Sequence, residues 1–263
     1  MSQALSVTTS IHGSVAVICF NRPDKLNAFD ESQRQAFRKA ASKVNADDSI
    51  RAVVLMGDGR AFSAGADLSE AMPDDVDVEQ GLIQEYKPAL MAITQAPKPW
   101  ISAVNGAAAG IGSAFAMACD LTVMAEDAYI YQAFSAIGLI PDGGATWHLA
   151  QTVGRKRAYE LIALGTKLNA TECLQLGLCN RVVPNAALLD ETMALANELT
   201  TKAPLALRYA KEALNVATQS SLSDTFDHEA KLQKICANSE DAKEGSCAFL
   251  AKRKAQFTGR SSY

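Results

Sequence analysis

Short apolar runs alternate with longer amphipathic stretches over the first two thirds of the chain. Most of these runs end at Gly, Pro, Asn or Asp, which is typical of β-strands that lead into turns. Strands are predicted over residues 14–20, 51–56, 100–104, 121–125 and 129–132. Helices are predicted over residues 30–45 and 79–95, after Asn105-Gly106, and almost throughout from Gly143. This order predicts an α/β core followed by a helical C-terminal part.

The segment of residues 70–80 differs from its surroundings. It contains Pro73 and five acidic side chains in a short space. Proline and closely spaced like charges both oppose regular structure. The segment therefore predicts a mobile surface loop that leads into the second helix.

The charge balance narrows the classes of partner. The 263 residues include 25 Lys and Arg against 29 Asp and Glu, a formal net charge of −4. Proteins that bind nucleic acid mainly through phosphates usually carry a basic face, so we expect no nucleic-acid partner. No run approaches the ~18 apolar residues of a membrane span, and no basic-then-apolar signal pattern opens the sequence. We therefore expect no membrane partner and a cytoplasmic location.

The six cysteines show neither a disulfide pattern nor a metal-binding pattern. None forms a Cys-x-x-Cys pair, and none has a histidine at metal-ligand spacing. A chain of this length buries enough surface to be stable without crosslinks. We expect reduced thiols and no metal site.

Two turns rich in Gly and Ala follow predicted strands. They are residues 59–68 (Gly-Arg-Ala-Phe-Ser-Ala-Gly-Ala-Asp-Leu) and residues 105–112 (Asn-Gly-Ala-Ala-Ala-Gly-Ile-Gly). Small residues let a ligand approach the backbone, and free amides at a helix start face developing negative charge. Two such turns can form an oxyanion hole, although a Gly/Ala-rich helix is also a common packing surface. Neither turn completes a dinucleotide-binding or phosphate-loop motif.

The two turns, in this order, resemble the enoyl-CoA hydratase/isomerase (crotonase) family. Asn21-Arg22-Pro23 upstream, residues 97–106 between the turns and residues 244–254 at the end extend this resemblance over nearly the whole chain. It implies a crotonase fold of class α/β, a spiral of ββα units over residues 1–200 that holds an acyl-CoA site. A helical region over residues 201–263 would then serve trimerisation and CoA contact.

The same resemblance implies the ligand and the assembly. The family binds acyl-CoA thioesters, so coenzyme A would enter as part of the substrate and no separate cofactor is expected. A homotrimer or a dimer of trimers is expected as well.

Carried over position by position, the resemblance assigns the oxyanion hole to the N–H groups of Ala66 and Ile111. The family usually has a small residue where Ile111 stands. Because the donor is a backbone group, isoleucine still supplies it, and its side chain should narrow the pocket. Two donors on the thioester oxygen stabilise charge that exists only once a neighbouring proton is leaving.

The two glutamates with which the family's hydratases hold and split water are replaced in this chain. Ala114 and Phe134 occupy these positions in the same alignment. Methyl and phenyl groups move no protons, so ordinary water addition to a double bond loses both acid/base groups.

Asp142 offers a carboxylate instead. Several isomerases of this fold have an acid at this position, and residues 133–144 resemble most the ring-1,2-epoxyphenylacetyl-CoA isomerase branch. One carboxylate suits isomerisation because it removes a proton at one carbon and returns it two carbons away.

The sequence around Asp142 is also typical of a helix N-cap, since Asp-Gly-Gly-Ala precedes an apolar run. A cap would stabilise the anion and weaken it as a base, whereas an apolar setting would raise its pKa. With the resemblance we favour catalysis. We expect an apolar setting made by Phe134, Leu139, Ile140 and Trp147.

The resemblance also implies contacts with the substrate. Phe134 would bind substrate, and a second group of residues would lie near the adenine and pantetheine, mostly through backbone atoms. This second group is Lys25, Leu26, Ala64, Asp67 and Leu68. Phe249 and Lys252 would contact the nucleotide end from a neighbouring subunit, although a basic edge on an amphipathic helix explains them equally well.

The sequence therefore favours an acyl-CoA isomerase that shifts a double bond or rearranges a ring through an enolate. A hydratase or hydrolase that recruits water through Asp142 alone is the first alternative. A catalytically silent CoA-binding assembly subunit is the second.

Overall fold

A computed structural model describes residues 5–70 and 77–259 of the chain. The strands of this part are β1 (Val7–His12), β2 (Val15–Phe20), β3 (Ala52–Gly57), β4 (Ala61–Ser63), β5 (Trp100–Val104), β6 (Ala107–Ala109), β7 (Leu121–Ala125), β8 (Tyr129–Tyr131), β9 (Lys167–Asn169) and β10 (Arg181–Val183). Its helices are α1 (Glu31–Ala46), α2 (Val78–Gly81), α3 (Lys87–Thr94), α4 (Ile111–Ala118), α5 (Ala145–Leu164), α6 (Ala170–Gln175), α7 (Leu188–Thr200), α8 (Pro204–Ala217), α9 (Leu222–Ala237) and α10 (Glu240–Leu250). The mixed α/β class is confirmed.

The strands form a six-stranded and a four-stranded sheet, with orders β1-β2-β3-β5-β7-β10 and β4-β6-β8-β9. Successive strands along the chain alternate between the sheets: β3 and β4, β5 and β6, β7 and β8 each form such a pair. Within each sheet the strands of successive pairs run parallel. This arrangement is a spiral of β-β units with helices on the connections.

The five predicted strands are confirmed within one or two residues of their bounds. The strands that the pattern missed are short or polar. β4 and β6 have three residues each and consist mostly of Ala and Ser, and β1 reads Val-Thr-Thr-Ser-Ile-His on an edge of its sheet. Such stretches have no hydrophobic alternation, so partner strands define them rather than their own sequence.

Asp30 caps the start of α1. The Asp30 carboxylate accepts a hydrogen bond from the Gln33 N–H at 2.8 Å. The Gln33 side chain does not reach back to the cap but donates to the Asn27 carbonyl at 3.2 Å. The cap therefore satisfies one helix-end donor, and Gln33 is instead used to hold the buried loop before α1.

The helix predicted over residues 79–95 is confirmed, since the backbone is helical without a break from Val78 to Thr94, but it contains one π-helical turn. A π-helical turn, Leu82–Tyr86, separates α2 from α3, and the Lys87 N–H donates to the Leu82 carbonyl. Pro88 follows directly and has no N–H to continue an α-helical ladder, which favours a wider turn at this point. The predicted mobile loop falls largely on residues 71–76, which lie outside the described residues.

A cluster of buried aromatic rings holds the core next to both Gly/Ala-rich turns. Phe29 stacks on Phe115 with centroids 4.5 Å apart, and Phe20 meets Phe29 edge-on at 4.9 Å. Phe29 leads into α1, whereas Phe115 belongs to α4. Rings that pack in this way add specific geometry to their burial, so the cluster fixes these two segments relative to each other.

Helix α8 is bonded to the core. The Lys211 ammonium lies 2.8 Å from the Asp120 carboxylate, and the Asn215 amide donates to the Thr94 carbonyl at 3.0 Å.

The division of the chain near residue 200 remains a prediction. All six cysteines are free: Cys119, Cys173 and Cys179 are buried, Cys19 and Cys236 are half-buried, and Cys247 is exposed. No described helix combines the length and apolar character needed to cross a membrane, and no described group of His, Cys, Asp and Glu could hold a metal ion.

Candidate active site

The first Gly/Ala-rich turn leaves one backbone donor free. Phe29 donates its N–H to the Gly65 carbonyl at 2.7 Å, and the Asp67 N–H donates to the Phe29 carbonyl at 3.0 Å. This ladder passes over Ala66, whose N–H has no hydrogen-bond partner in residues 5–70 and 77–259. Gly65 has φ of +100°, a conformation that disfavours any side chain, so the turn requires glycine here.

The second turn also leaves one backbone donor free, at the start of α4. The Gly110 N–H donates to the Tyr131 carbonyl at 2.9 Å, which ties the turn to β8. Ile111 is the first helical residue, so its N–H lies among the donors that a helix cannot satisfy internally. No partner for it occurs in the described part of the chain.

The two turns touch each other. A Cβ placed on Gly65 would lie 3.0 Å from the Ala109 carbonyl oxygen and 3.6 Å from the Ile111 nitrogen. The residues before both free donors are therefore in contact, which brings the predicted pair Ala66 and Ile111 to one place. Two unpaired N–H groups this close suit a single oxyanion.

Ser113 fixes the direction of the Ile111 N–H. Its hydroxyl and its N–H both donate to the Gly110 carbonyl, at 2.7 and 3.0 Å, and the Gln132 amide donates to the Ser113 hydroxyl at 2.9 Å. The Gly110 carbonyl and the Ile111 N–H belong to one trans peptide, so they point in opposite directions. Holding the carbonyl on Ser113 therefore aims the N–H away from it.

We predict that Ser113→Ala lowers kcat about threefold to tenfold for a reaction that uses the Ile111 N–H as an oxyanion donor, because one hydrogen bond to this peptide is worth about 1 kcal/mol. Ser113→Thr keeps the hydroxyl and should recover most of the loss. Steady-state kinetics of both variants measure this, and equal loss in both would show that packing rather than the hydroxyl matters.

Asp142 is not a helix cap, so that interpretation of the sequence is wrong. The N-cap of α5 is Gly144, and no side chain bonds to this helix end. The Asp142 Oδ1 is buried and has no hydrogen-bond partner among the described residues. Burial raises the pKa of Asp142 to about 6. This is the direction expected for an aspartate in an apolar setting and not for a helix cap.

The residues that bury Asp142 are not all those expected. Leu139, Ile140 and Trp147 are 55%, 82% and 40% exposed, because the loop turns them outward. The loop that holds Asp142 packs against α4 through the neighbouring Gly143 instead. A Cβ on Gly143 would lie 2.9 Å from both the Ala114 Cβ and the Ile111 Cγ1. Asp142 is therefore held against the second turn.

Ala114 and Phe134 both lie beside the second turn. Ala114 is fully buried on α4, and Phe134 is 6% exposed. The Phe134 ring tip lies 3.8 Å from the position of a Cβ on Gly110. Apolar side chains therefore flank the free Ile111 N–H. The resemblance assigns proton transfer to the positions of Ala114, Phe134 and Asp142, and of these three only Asp142 is an acid.

The predicted CoA-side residues of the first turn also come together. The Ala64 N–H donates to the Leu26 carbonyl at 2.9 Å, and Lys25 precedes Leu26 with its side chain exposed. Asp67 braces the turn: it accepts from Ser69 and lies 2.9 Å from Arg22. Ser69, and then Arg22, hold the pKa of Asp67 below its usual range.

The other predicted contacts are surface residues. Leu68, Phe249 and Lys252 are exposed, the last two at the end of α10. The bonds at that end of α10 run to the C-terminal segment, as in the pair Arg253 and Glu244. A CoA contact by Phe249 and Lys252 remains a prediction.

Tyr86 is a residue of this region that the sequence did not single out. It is 8% exposed, and its ring packs edge-on against Phe29 at 6.2 Å. The sequence contains no signal for it beyond Pro88, because its position depends on the π-helical turn.

A cavity of about 660 Å³ has Gly143 and Gly144 in its lining, but Ala66, Ile111, Phe134 and Asp142 do not line it. Much of its lining is apolar and comes from α3, α4, α5 and α8, including Leu90, Met117, Trp147, Leu207 and Leu214. Its volume lies in the range of small-molecule sites.

Residues 10–260 match the family model described as enoyl-CoA hydratase/isomerase. The chain is 36% identical over 258 residues to 1,2-epoxyphenylacetyl-CoA isomerase of Escherichia coli (strain K12), which covers 97% of this chain and 98% of that protein. It is also 36% identical over 255 residues to a probable enoyl-CoA hydratase of Rhodobacter capsulatus, with 97% and 98% covered.

The solved structures agree with the sequences. A crystal structure of enoyl-CoA hydratase from Bacillus anthracis matches with a TM-score of 0.92 at 29% identity, over 97% of this chain and 100% of that one. The predicted crotonase fold is thereby confirmed. With a matching family model, full-length relatives and this fold, the chain belongs to the enoyl-CoA hydratase/isomerase family.

Proposed function

We propose that the protein is an acyl-CoA isomerase that moves a double bond, or rearranges a ring, through an enolate of the thioester. One observation carries this proposal. The Oδ1 of the half-buried Asp142 is inaccessible and has no hydrogen-bond partner among the described residues, and the loop that holds it packs against the turn of the free Ile111 N–H. The positions that the resemblance assigns to the hydratase glutamates hold Ala114 and Phe134.

The proposed step needs one base and one oxyanion site. Asp142 removes a proton from the carbon next to the thioester carbonyl. The electron pair of that C–H bond forms a double bond to the carbonyl carbon, and the π pair of the carbonyl moves onto its oxygen. The N–H groups of Ala66 and Ile111 stabilise the resulting enolate. Asp142 then returns the proton two carbons away while the double bond re-forms next to the carbonyl, so no water is consumed.

The remaining features fit an acyl-CoA. Ala114 and Phe134 offer apolar side chains beside the second turn for the acyl group. Lys25 supplies an exposed cation beside the first turn, and Lys252 would supply a second from a neighbouring subunit of a homotrimer or a dimer of trimers. We propose no separate cofactor, because the enolate chemistry uses only a carboxylate and two amides.

A hydratase acting through Asp142 is the second candidate, because one relative is named a probable enoyl-CoA hydratase. Water addition requires a group that orients the water and one that protonates the neighbouring carbon. Ala114 and Phe134 supply neither, so Asp142 would have to do both. This disfavours hydration relative to a proton shift.

The experiment compares 3-enoyl-CoA and 2-enoyl-CoA as substrates for wild type and Asp142→Asn. The proposal expects conversion of 3-enoyl-CoA that the substitution abolishes. Hydration of 2-enoyl-CoA that survives the substitution would contradict it. No turnover of any thioester in a broad panel, including ring-containing acyl groups, would favour the silent subunit.

The pH dependence follows from the raised pKa of Asp142. A base must be unprotonated to accept a proton, so kcat/KM should fall below about pH 6, the pKa to which burial raises Asp142. An ordinary aspartate would place this limb near pH 4. Initial rates at subsaturating substrate, after checking that the protein stays folded, measure the limb.

A further inference from the structure

The free N–H of Ala66 takes its direction from Phe29. The Phe29 N–H donates to the Gly65 carbonyl at 2.7 Å, and the Asp67 N–H donates to the Phe29 carbonyl at 3.0 Å. The Gly65 carbonyl and the Ala66 N–H belong to one trans peptide, so they point in opposite directions. A shift of the Phe29 backbone would therefore turn the first donor of the proposed oxyanion site.

Arg22 holds the backbone on both sides of Phe29. Its Nη1 donates to the Ala28 carbonyl, and its Nη2 lies 3.0 Å from the Asp30 carboxylate. The same Nη2 donates to the Asp67 carboxylate at 2.9 Å. One guanidinium thus joins both neighbours of Phe29, on one side of the ladder, to the residue that follows the free donor on the other side.

Arg22 is itself held in place. Its N–H donates to the Asn27 side chain at 2.9 Å, and the Asn27 N–H donates to the Arg22 carbonyl at 2.9 Å. The side chains of Arg22 and Asp67 are only 19% and 10% exposed, so little water competes for their bond. A planar guanidinium can also serve several acceptors at once. Arg22 therefore has the geometry of a rigid brace, unlike an exposed ion pair between mobile side chains.

Arg34 contacts the same segment but does not join the two sides of the ladder. Its Nη1 donates to the Phe29 carbonyl at 3.3 Å. Its carboxylate partners are Glu70 and Glu85, and neither belongs to the ladder. Of these two arginines, Arg22 is the one that connects both sides.

We propose that Arg22 is a positioning residue for the first oxyanion donor. By tying Asp67 to the segment around Phe29, it keeps the Ala66 N–H aimed at the thioester oxygen. This role rests on the proposed function. A hydrogen bond to that oxygen strengthens as negative charge develops, so a misdirected donor weakens binding of the enolate more than binding of the thioester. Loss of Arg22 should therefore lower kcat with a smaller change in KM.

The test uses acetoacetyl-CoA, in which the proton between the two carbonyls is acidic and the enolate is observed directly by its near-ultraviolet absorbance. Wild type should bind this enolate more tightly than the keto form, which lowers the pH at which the bound ligand ionises. In Arg22→Gln that pH should rise by about one unit, a tenfold loss in the preference for the enolate. Arg22→Lys keeps a cation without the planar donors, so its value should lie between the two. If Arg22→Gln fails to fold, Arg22→Lys carries the test.

Arg51→Gln is the matched control. Arg51 is half-buried and donates to the carbonyls of Phe257 and Lys202, at 2.8 and 2.9 Å. It precedes β3, whereas the first turn follows that strand. Its loss should lower the melting temperature and leave ionisation of the bound ligand unchanged. A shift in folded Arg51→Gln as large as in Arg22→Gln would assign the effect to general destabilisation and overturn the role.

The outcomes separate this role from the proposed function. Wild-type ionisation in the folded Arg22 variants would overturn the role, and the isomerase proposal would stand if Asp142→Asn is inactive. Asp142→Asn keeps both amides and should still bind the enolate, so full isomerase activity of that variant would overturn the proposed function alone. Absence of any preference for the enolate in wild type would overturn both.

Discussion

Asp142→Asn should lower kcat for double-bond migration by roughly 10²- to 10⁴-fold on the alkaline plateau, the usual contribution of a positioned general base. The amide has nearly the same shape as the carboxylate but accepts no proton. The loss should appear in kcat more than in KM, because Asp142 acts on the reacting carbons rather than on CoA. Initial-rate kinetics with 3-enoyl-CoA measure it.

The matched control is Asp48→Asn, on an exposed turn between α1 and β3. It removes the same charge far from the site and should leave kcat unchanged.

The stability of the folded chain provides a second control. The pKa of Asp142 is raised in the folded chain, so its contribution to stability is full at low pH and is lost as pH rises through about 6. Asp142→Asn should therefore melt no lower than wild type above pH 6.

Ile111→Pro should lower kcat by roughly 10²- to 10³-fold, because it removes one oxyanion donor. Proline is well tolerated at the first position of a helix, where the N–H has no helical partner. Gly110 precedes it in a conformation open to glycine, with φ of 52° and ψ of −134°. Helix α4 should therefore form normally in the variant.

Ile111→Ala separates the donor from the side chain. It keeps the N–H and removes most of the side chain, so kcat should stay within a few-fold of wild type while KM changes for bulky acyl groups. Kinetics and melting temperatures of Ile111→Pro and Ile111→Ala show whether the backbone donor or the side chain is needed. A loss in Ile111→Ala as large as in Ile111→Pro would assign the effect to packing and contradict the amide's role.

The sequence was sufficient for the parts of the fold and site that depend on local pattern. The apolar runs at β2, β3, β5 and β7 predicted their strands, because buried parallel strands need continuous apolar residues. The resemblance carried by the two turns was enough to propose Ala66 and Ile111 as donors, since a backbone donor needs only its turn. The identity of Ala114 and Phe134 was enough to argue against hydration.

The parts that depend on contacts between distant residues could not be predicted. Asp142 looked like a cap because its neighbours in sequence resemble one, but packing of Gly143 against Ile111 and Ala114 decides its environment. Leu139 and Ile140 looked like pocket walls for the same reason, and the loop turns them outward. Tyr86 required the π-helical turn, whose position no hydrophobic period encodes.

The central claim is that this site moves a proton and consumes no water. The most direct measurement is the mass of the product formed by the wild-type enzyme from 3-enoyl-CoA in water labelled with heavy oxygen. The account predicts 2-enoyl-CoA with no heavy oxygen, at a rate that Asp142→Asn abolishes. Accumulation of 3-hydroxyacyl-CoA that carries the label as the main product would contradict it.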